Sequence, residues 1–146
     1  MNSDIVRLRE ETGAGVMDAK RALDDAKGDY AAAVKLIAER GLAKADKRQE
    51  RATSAGLLET YVHNNRVGVL LDIRCETDFV ARTDDFKTLA HDVAMHISAL
   101  DPENVEALLK QPFVRDESQT VEELVKQVIA KTGENIKIER FTRYEL

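Results

Sequence analysis

Three carboxylates near the end of a predicted strand are the first side chains in this sequence that could do chemistry. Asp72, Glu76 and Asp78 are spaced by four and two residues. Such a group could hold a divalent cation or act as a general acid and base. No nucleophile, partner base or oxyanion donor accompanies them in the sequence, so we interpret them as surface carboxylates.

Histidine and cysteine, the other common metal-binding side chains, are few. His91 and His96 lie five residues apart on a predicted helix and therefore on different faces, whereas helical metal pairs are separated by about one turn. Cys75 has the inward parity of its strand, which predicts a buried structural thiol. A single cysteine excludes an intramolecular disulfide and fits a reducing compartment. We predict no metal ion, no cofactor and no catalytic residue.

Basic side chains concentrate in residues 42–53, where they could form a phosphate-binding face. They are Lys44, Lys47, Arg48 and Arg51. Asp46 and Glu50 are interleaved among them, which favours a solvated helical connector. The net charge of −5 also argues against direct nucleic-acid binding. Because no apolar run approaches the ~18–20 residues that span a bilayer and no signal peptide is evident, we expect a cytoplasmic protein without membrane contact.

An aromatic residue follows the carboxylates in the stretch Thr77-Asp78-Phe79-Val80. Residues 67–75 before it alternate between two faces, as in a half-buried strand, and the alternation stops at Glu76. A large apolar ring directly after a strand end must either fold back into the core or project as an anchor for another molecule. The residues alone leave both positions of Phe79 open.

Three short helices are predicted for the chain up to Gly41. Ser3 is the expected cap of the first helix, and Gly13-Ala14-Gly15 separates it from the second. Gly28 is expected to stop the second helix, Asp29 to cap the third and Gly41 to close it. Because helices this short are marginal alone, they must bury their small apolar side chains against one another.

The second part of the chain carries the signals of a small sheet. Strands are expected at 57–62 and 67–76, joined by a hairpin turn at Asn64-Asn65, since asparagine tolerates positive φ. A last strand begins at Ile136, and its alternation slips at Arg140-Phe141, where either a bulge or a change of environment is expected. Three strands leave an edge that could pair with another chain.

Two helices are expected to cover this sheet. Thr83 caps the first of them. The inward face of that helix consists of Phe86, Leu89, Val93, Ile97 and Leu100. Thr120 and Glu123 have the spacing of a capping box at the start of the second helix, which Gly133 ends.

The predicted fold class is α+β, in three parts. Residues 1–41 form a three-helix unit, 42–53 a helical connector, and 54–146 a core with a three-stranded antiparallel sheet covered by helices. The chain contains no phosphate loop, dinucleotide fingerprint or nucleophile elbow. Its function must therefore be sought in other motifs.

Two long motifs and two short ones point to a family. The first runs from Leu8 to Leu23, L-R-E-E-T-G-A-G-V-M-D-A-K-R-A-L, and is followed by Gly28-Asp29. The second is C-E-T-D-F-V-A-R, from Cys75 to Arg82, and Gly133-Glu134-Asn135-Ile136 lies near the end. In these motifs, and over essentially the whole chain, the sequence resembles the bacterial elongation factor Ts family, the guanine nucleotide exchange factors of elongation factor Tu.

The resemblance implies both a fold and a function. The first three helices should form a bundle like the ubiquitin-associated fold. The protein should bind elongation factor Tu·GDP during translation elongation and promote GDP release, without chemistry of its own, so that GTP can be loaded. In the family the Asp-Phe pair inserts beside the partner's Mg²⁺ and phosphate region, which makes Phe79 the wedge and Asp78 its polar companion. The partner-binding residues implied are Thr77, Asp78, Phe79 and Val80 in the core and Leu8, Thr12, Gly13, Ala14, Gly15, Val16 and Met17 in the N-terminal unit.

In its length, the chain resembles the short members of this family. Long members carry a helical hairpin or a second core half, for which this chain has no room, and short forms with one core unit dimerise to supply the second. The resemblance therefore predicts a noncovalent homodimer, in a 2:2 assembly with the partner, formed by the sheet and the strand from Ile136 to Leu146. Two residues depart from the family: Ala19 stands where many members carry cysteine, and Thr142 lies where some short forms have a cysteine that bridges two subunits.

The residues are also compatible with two other classes of protein. The small three-helix start is also compatible with a plain ubiquitin-like recognition module, in which residues 1–51 alone would bind a partner. An enzyme could instead use Asp72, Glu76 and Asp78 with a metal ion. Thermal stabilisation by Mg²⁺, Mn²⁺ or Zn²⁺ would reveal such a site.

Overall fold

A computed structural model describes residues 2–146 and divides them into seven helices and five strands. The helices are α1 (Ser3–Thr12), α2 (Val16–Asp25), α3 (Tyr30–Arg48), α4 (Asp78–Ala81), α5 (Asp84–Leu100), α6 (Val105–Lys110) and α7 (Val121–Thr132). The strands are β1 (Ala55–His63), β2 (Val67–Cys75), β3 (Pro112–Phe113), β4 (Asp116–Thr120) and β5 (Ile136–Glu145). Within this range no helix is long and apolar enough to cross a membrane.

Helices α1 to α3 pack around a small core of their own. Its buried members are Leu8, Ala19, Ala22, Leu23 and Ala33. The predicted cap Asp29 is confirmed, because its side chain accepts a hydrogen bond from the Ala32 N–H at 3.0 Å. The predicted cap Ser3 is wrong by one residue: the Asn2 side chain accepts from the Asp4 N–H at 3.1 Å, and Ser3 is already helical.

The prediction that Gly41 closes the third helix is wrong. Helix α3 continues to Arg48. A Cβ atom at position 41 would lie 3.0 Å from the Ala130 Cβ in α7, closer than side chains normally approach. Gly41 is therefore used for close helix packing and not as a stop signal. It lets the second half of α3 lie against the core.

The predicted connector is thus mostly the second half of α3, and it is not merely solvated. Ala45 is fully buried in the main core, and Asp46 pairs with Lys126 of α7 at 2.7 Å. The prediction of a solvated connector is wrong at Ala45, because one small buried alanine does not produce an apolar stripe in residues 42–53. The division of the chain at residues 41 and 53 stays a prediction.

The main sheet has the order β1-β2-β5, and both pairs are antiparallel. The hairpin turn is confirmed, since Asn64 and Asn65 have φ of 51° and 58°. Gly56 has φ of 147°, and a Cβ there would lie 2.2 Å from the Ile73 carbonyl oxygen, so β1 requires glycine at this position. The predicted bulge is found at Glu139, which lies between the pairs Asp72–Arg140 and Ile73–Ile138.

One face of this sheet is covered by helices and carries the main core. The capping residues Thr83 and Thr120 are confirmed, since they accept hydrogen bonds from the N–H groups of Phe86 and Glu123 at 3.3 and 3.2 Å. The inward face predicted for α5 is correct except at Leu100, which is 42% exposed. The chain turns there, with Asp101 in the left-handed region, and Pro102 is buried at this end instead.

No helix within residues 2–146 covers the opposite face of the sheet. Directly paired residues of antiparallel strands share a face, and the register places Leu58, Val62, Leu70 and Tyr144 together there. All four are exposed. We call this group the open sheet face.

A second, two-stranded ribbon of β3 and β4 follows α6 and was not predicted. The sequence offers no alternation for it, because β3 has only two residues and begins with Pro112. The ribbon is attached through Phe113, whose buried ring stacks on His96 with 5.9 Å between centroids.

Candidate functional site

The stretch Thr77-Asp78-Phe79-Val80 forms a single exposed helical turn at the end of β2. Thr77 caps α4, since its side-chain oxygen accepts a hydrogen bond from the Val80 N–H at 3.3 Å. Phe79 is 81% exposed, and Asp78 beside it is exposed as well. The Phe79 ring therefore projects into solvent and does not fold back into the core.

The base of this turn is fixed in the core. Val80 and Ala81 are buried in the main hydrophobic cluster. The Cys75 S–H donates to the Thr77 carbonyl oxygen at 3.2 Å, and the Thr83 hydroxyl donates to the Val80 carbonyl oxygen at 2.7 Å. Because the backbone is held from below, the projecting ring is presented on a rigid support.

Exposure of Phe79 has no benefit for folding. Burial of an aromatic side chain removes ~150–250 Å² from water, which at ~25 cal/mol per Å² stabilises a protein by several kcal/mol. A projecting ring forgoes that stabilisation. Aromatic side chains, including phenylalanine, are enriched in the buried centres of binding interfaces.

The predicted N-terminal residues fall into two groups. Leu8 is fully buried, and Thr12 is half-buried, with its hydroxyl donating to the Leu8 carbonyl oxygen. Gly13, Gly15, Val16 and Met17 are exposed at the turn between α1 and α2, and Ala14 among them is half-buried. Met17 is 57% exposed. The turn therefore offers a second apolar surface, which Leu8 supports from inside.

The three carboxylates have different surroundings and do not form a common site. The interpretation as surface carboxylates is wrong for Asp72, which is buried. It accepts hydrogen bonds from Arg74 at 3.0 and 3.1 Å and from Arg140 at 3.1 Å. The Arg74 guanidinium, helped by Arg140, holds the pKa of Asp72 below its ordinary value, although partial burial opposes this. Glu76 accepts from the Asn135 N–H at 3.2 Å, and Asp78 is exposed.

The other metal-binding candidates are also separated. His91 is exposed while His96 is fully buried, and Cys75 is buried as predicted. Burial raises the pKa of the Cys75 thiol, which disfavours the reactive thiolate. In residues 2–146, no group of three or more histidine, cysteine and acidic side chains could hold a metal ion.

Three of the four basic side chains of the connector, all except the exposed Lys47, contact the protein itself. Lys44 pairs with Asp18 at 3.1 Å, and Arg48 donates to the Ile129 carbonyl oxygen at 3.4 Å. Arg51 donates to the Gly133 carbonyl oxygen at 3.4 Å. These contacts favour a structural role for the basic residues over a phosphate-binding face.

Sequence reasoning assigned no role to Glu134, which contacts the exposed turn directly. Its two carboxylate oxygens accept hydrogen bonds from the Thr77 N–H at 2.9 Å and the Thr77 hydroxyl at 2.7 Å. The two residues are 57 positions apart, so no local pattern could pair them. The only signal was that both belong to motifs that carry the family resemblance.

Comparison with known proteins agrees with these motifs. A sequence model of the family described as Elongation factor TS matches residues 76–146, which contain α4, the covering helices and β5. Elongation factor Ts of Thermotoga neapolitana is 39% identical over 186 aligned positions, covering 97% of this chain and 94% of the relative. Elongation factor Ts of a Synechococcus strain is 40% identical, covering 97% of this chain and 73% of the relative.

The similarity extends to a chloroplast protein. The rice chloroplastic polyprotein of EF-Ts is 39% identical to this chain over 97% of its length, which corresponds to 17% of the polyprotein. Because 186 positions align with a chain of 146 residues, the Thermotoga neapolitana protein has at least 40 residues within the aligned span that this chain lacks. Identity of 39% over nearly the whole length of this chain and of the Thermotoga neapolitana protein establishes that the chain belongs to the elongation factor Ts family of translation elongation factors.

Proposed function

We propose that the protein is the guanine nucleotide exchange factor of elongation factor Tu. It binds elongation factor Tu·GDP in the cytoplasm, promotes release of GDP and so allows GTP to be loaded, without chemistry of its own. The observation that carries the proposal is the projecting Phe79, held on a rigid turn beside Asp78 in a chain of this family.

Exchange by this route is a matter of linked equilibria. A GTPase holds GDP largely through Mg²⁺ and a phosphate-binding loop. A factor that binds the nucleotide-free partner more tightly than the GDP-bound partner weakens GDP binding by the same ratio. Phe79 would act as the wedge in the Mg²⁺ and phosphate region, and Asp78 would be its polar companion.

A second contact would come from the turn between α1 and α2. Val16 and Met17 are the exposed apolar side chains there, next to the turn at Gly13 to Gly15. Leu8 and Thr12 would support this surface, and Val80 would support Phe79, through their positions in or against the two cores. Two separated contacts would allow the wedge to act while the N-terminal helices grip the partner.

The proposed assembly is a noncovalent homodimer that binds two partner molecules. The open sheet face supports this, since an uncovered sheet with four exposed large side chains needs a cover. Face-to-face packing of two such sheets is a common way to bury them. Cys75 is the only cysteine, and it is buried. Because it is not accessible for a disulfide between subunits, the contact would be noncovalent.

The test is release of fluorescent GDP from elongation factor Tu, with and without the full-length protein. Wild type should accelerate release. Phe79→Ala should slow it by about ten-fold or more, as expected for loss of an anchor residue, while the free energy of unfolding changes by less than about 0.5 kcal/mol because the ring is exposed. Asp78→Ala should act in the same direction, more mildly.

Leu100→Ala is the matched control, because it truncates a large exposed apolar side chain away from the turn. It should leave the exchange rate unchanged. No acceleration by the wild-type protein would refute the proposal, and normal exchange by Phe79→Ala would refute the wedge.

A further inference from the structure

The loop between α7 and β5 consists of Gly133, Glu134 and Asn135, and its side chains contact two distant parts of the chain. Glu134 holds Thr77 with both carboxylate oxygens, at 2.9 Å from the backbone nitrogen and 2.7 Å from the hydroxyl. A bidentate contact to a charged acceptor fixes direction as well as distance. The loop therefore holds the residue that caps α4.

Thr77 connects Glu134 to the helical turn that carries Phe79. Its hydroxyl donates to Glu134 and at the same time accepts from the Val80 N–H at 3.3 Å. The side-chain rotamer that caps α4 is thus the one that Glu134 selects. Phe79 lies within this single turn, so a rotation of the turn would move its ring directly.

The loop itself is anchored at the end of α3. Asn135 is almost fully buried, and its side-chain amide donates to the carbonyl oxygens of Gln49 at 3.2 Å and Arg51 at 2.8 Å. Its backbone N–H donates to Glu76 at 3.2 Å. Buried amides that satisfy backbone carbonyls are costly to displace, so Glu134 acts from a fixed base.

The contacts of Glu134 differ from those that hold α4 in the fold. Burial of Val80 and Ala81 secures the turn against the core, whereas Glu134 binds Thr77 on the solvent side. Hydrogen bonds that stay accessible to water contribute modestly to stability, because water competes for the same donors and acceptor. Their effect is on the orientation of the exposed part of the turn.

We propose that Glu134 is a positioning residue for nucleotide exchange, which acts through Thr77 to hold Phe79 in the pose that displaces nucleotide. This inference rests on the proposed function. A positioning residue should change the rate within the complex and leave its affinity nearly unchanged, because the other contacts with the partner remain. A merely structural residue would change neither quantity once the folded fraction is accounted for.

The experiment measures GDP release from elongation factor Tu as a function of factor concentration. Glu134→Ala should lower the maximal rate by about five-fold. The factor concentration that gives half the maximal rate should change by less than about two-fold, and the melting temperature should stay close to that of wild type. Glu117→Ala, which truncates an exposed glutamate in β4, is the matched control and should leave all three unchanged.

Two further variants separate positioning from folding. Glu134→Gln keeps the length of the side chain and an acceptor for the Thr77 N–H, so it should restore most of the maximal rate. Thr77→Val keeps the shape of residue 77 but removes its hydroxyl, so Glu134→Ala should cost less in that background than alone.

The outcomes distinguish this inference from the proposed function. If Phe79→Ala slows release while Glu134→Ala keeps the wild-type maximal rate, positioning by Glu134 is refuted and the exchange function stands. If the loss in Glu134→Ala follows the folded fraction alone, or if Glu134→Gln is as slow as Glu134→Ala although folded, positioning is refuted as well. If wild type does not accelerate release, both fail.

Discussion

His96 is a buried titratable residue whose two ring nitrogens both have partners. The Val114 N–H donates to Nδ1 at 3.1 Å, so Nε2 carries the proton and donates to the Gln111 side-chain oxygen at 2.8 Å. Asp92, one turn earlier on α5, is occupied by Arg115. Protonation of Nδ1 would break the hydrogen bond that attaches the β3–β4 ribbon to α5.

The stability of the protein should therefore fall on mild acidification. Burial lowers the pKa of His96 in the folded protein, although the hydrogen bond to Gln111 opposes this. The unfolded chain takes up a proton near pH ~6.5, while the folded protein resists until lower pH. Stability is thus complete above that value, declines at no more than about 1.4 kcal/mol per pH unit below it, and levels off below the folded pKa.

Urea unfolding between pH 8 and 5.5 measures this effect. His96→Gln should be less stable at pH 8 and should show a flatter dependence on pH than wild type. His91→Gln, at an exposed position on the same helix, should keep the wild-type slope. Parallel curves for wild type and His96→Gln would contradict the assignment.

At the scale of elements, the contact between α3 and α7 determines how the N-terminal helices attach to the core. It depends on Gly41, where a Cβ atom would lie 3.0 Å from that of Ala130. Gly41→Val should therefore destabilise the protein by about 1–3 kcal/mol through overpacking, in spite of the low helix propensity of glycine.

Chemical denaturation of two companion variants tests this explanation. Ala38→Val, at an exposed position of the same helix, should cost only a few tenths of a kcal/mol. Gly41→Val should cost less in an Ala130→Gly background than in wild type, because Ala130→Gly removes the Cβ atom that lies closest to position 41. An equal cost of Gly41→Val in both backgrounds would show that helix packing is not the reason for this glycine.

At the scale of the whole molecule, the open sheet face is the surface on which the dimer proposal depends. Leu70 lies on the central strand of that face, next to the exposed Thr142 of β5. In a two-fold interface the same residue occurs on both subunits. Leu70→Glu would therefore bring like charges to the contact, and the dimer should dissociate.

Sedimentation at micromolar concentration checks this prediction. Wild type should be dimeric with and without reductant, and Leu70→Glu should be monomeric. Leu100→Glu is matched in exposure, since both leucines are 42% exposed, but it lies on α5 and should leave the dimer intact. A monomeric wild type would remove the proposal, and a dimer sensitive to reductant would contradict its noncovalent character.

The sequence by itself determined most elements and several of their ends, because these depend on interactions within a few residues. The caps Asp29, Thr83 and Thr120 each bind a backbone N–H three residues ahead. The turn at Asn64-Asn65 follows from the same local physics. The long motifs also carried the family, including the stretch that forms α4.

Tertiary structure alone decided how these elements meet and which side chains are left over. Gly41 reads locally as a helix stop, yet a neighbouring helix makes it a contact point. Glu134 lies 57 residues from Thr77, and no periodicity in either segment predicts their hydrogen bonds. The exposure of Phe79 was equally undetermined, because alternation ends before it and the ring is directed outwards by the burial of Val80 and Ala81, which is decided by the tertiary packing. Local hydrogen bonds are encoded where they form, whereas burial and long-range contacts depend on the whole packed chain.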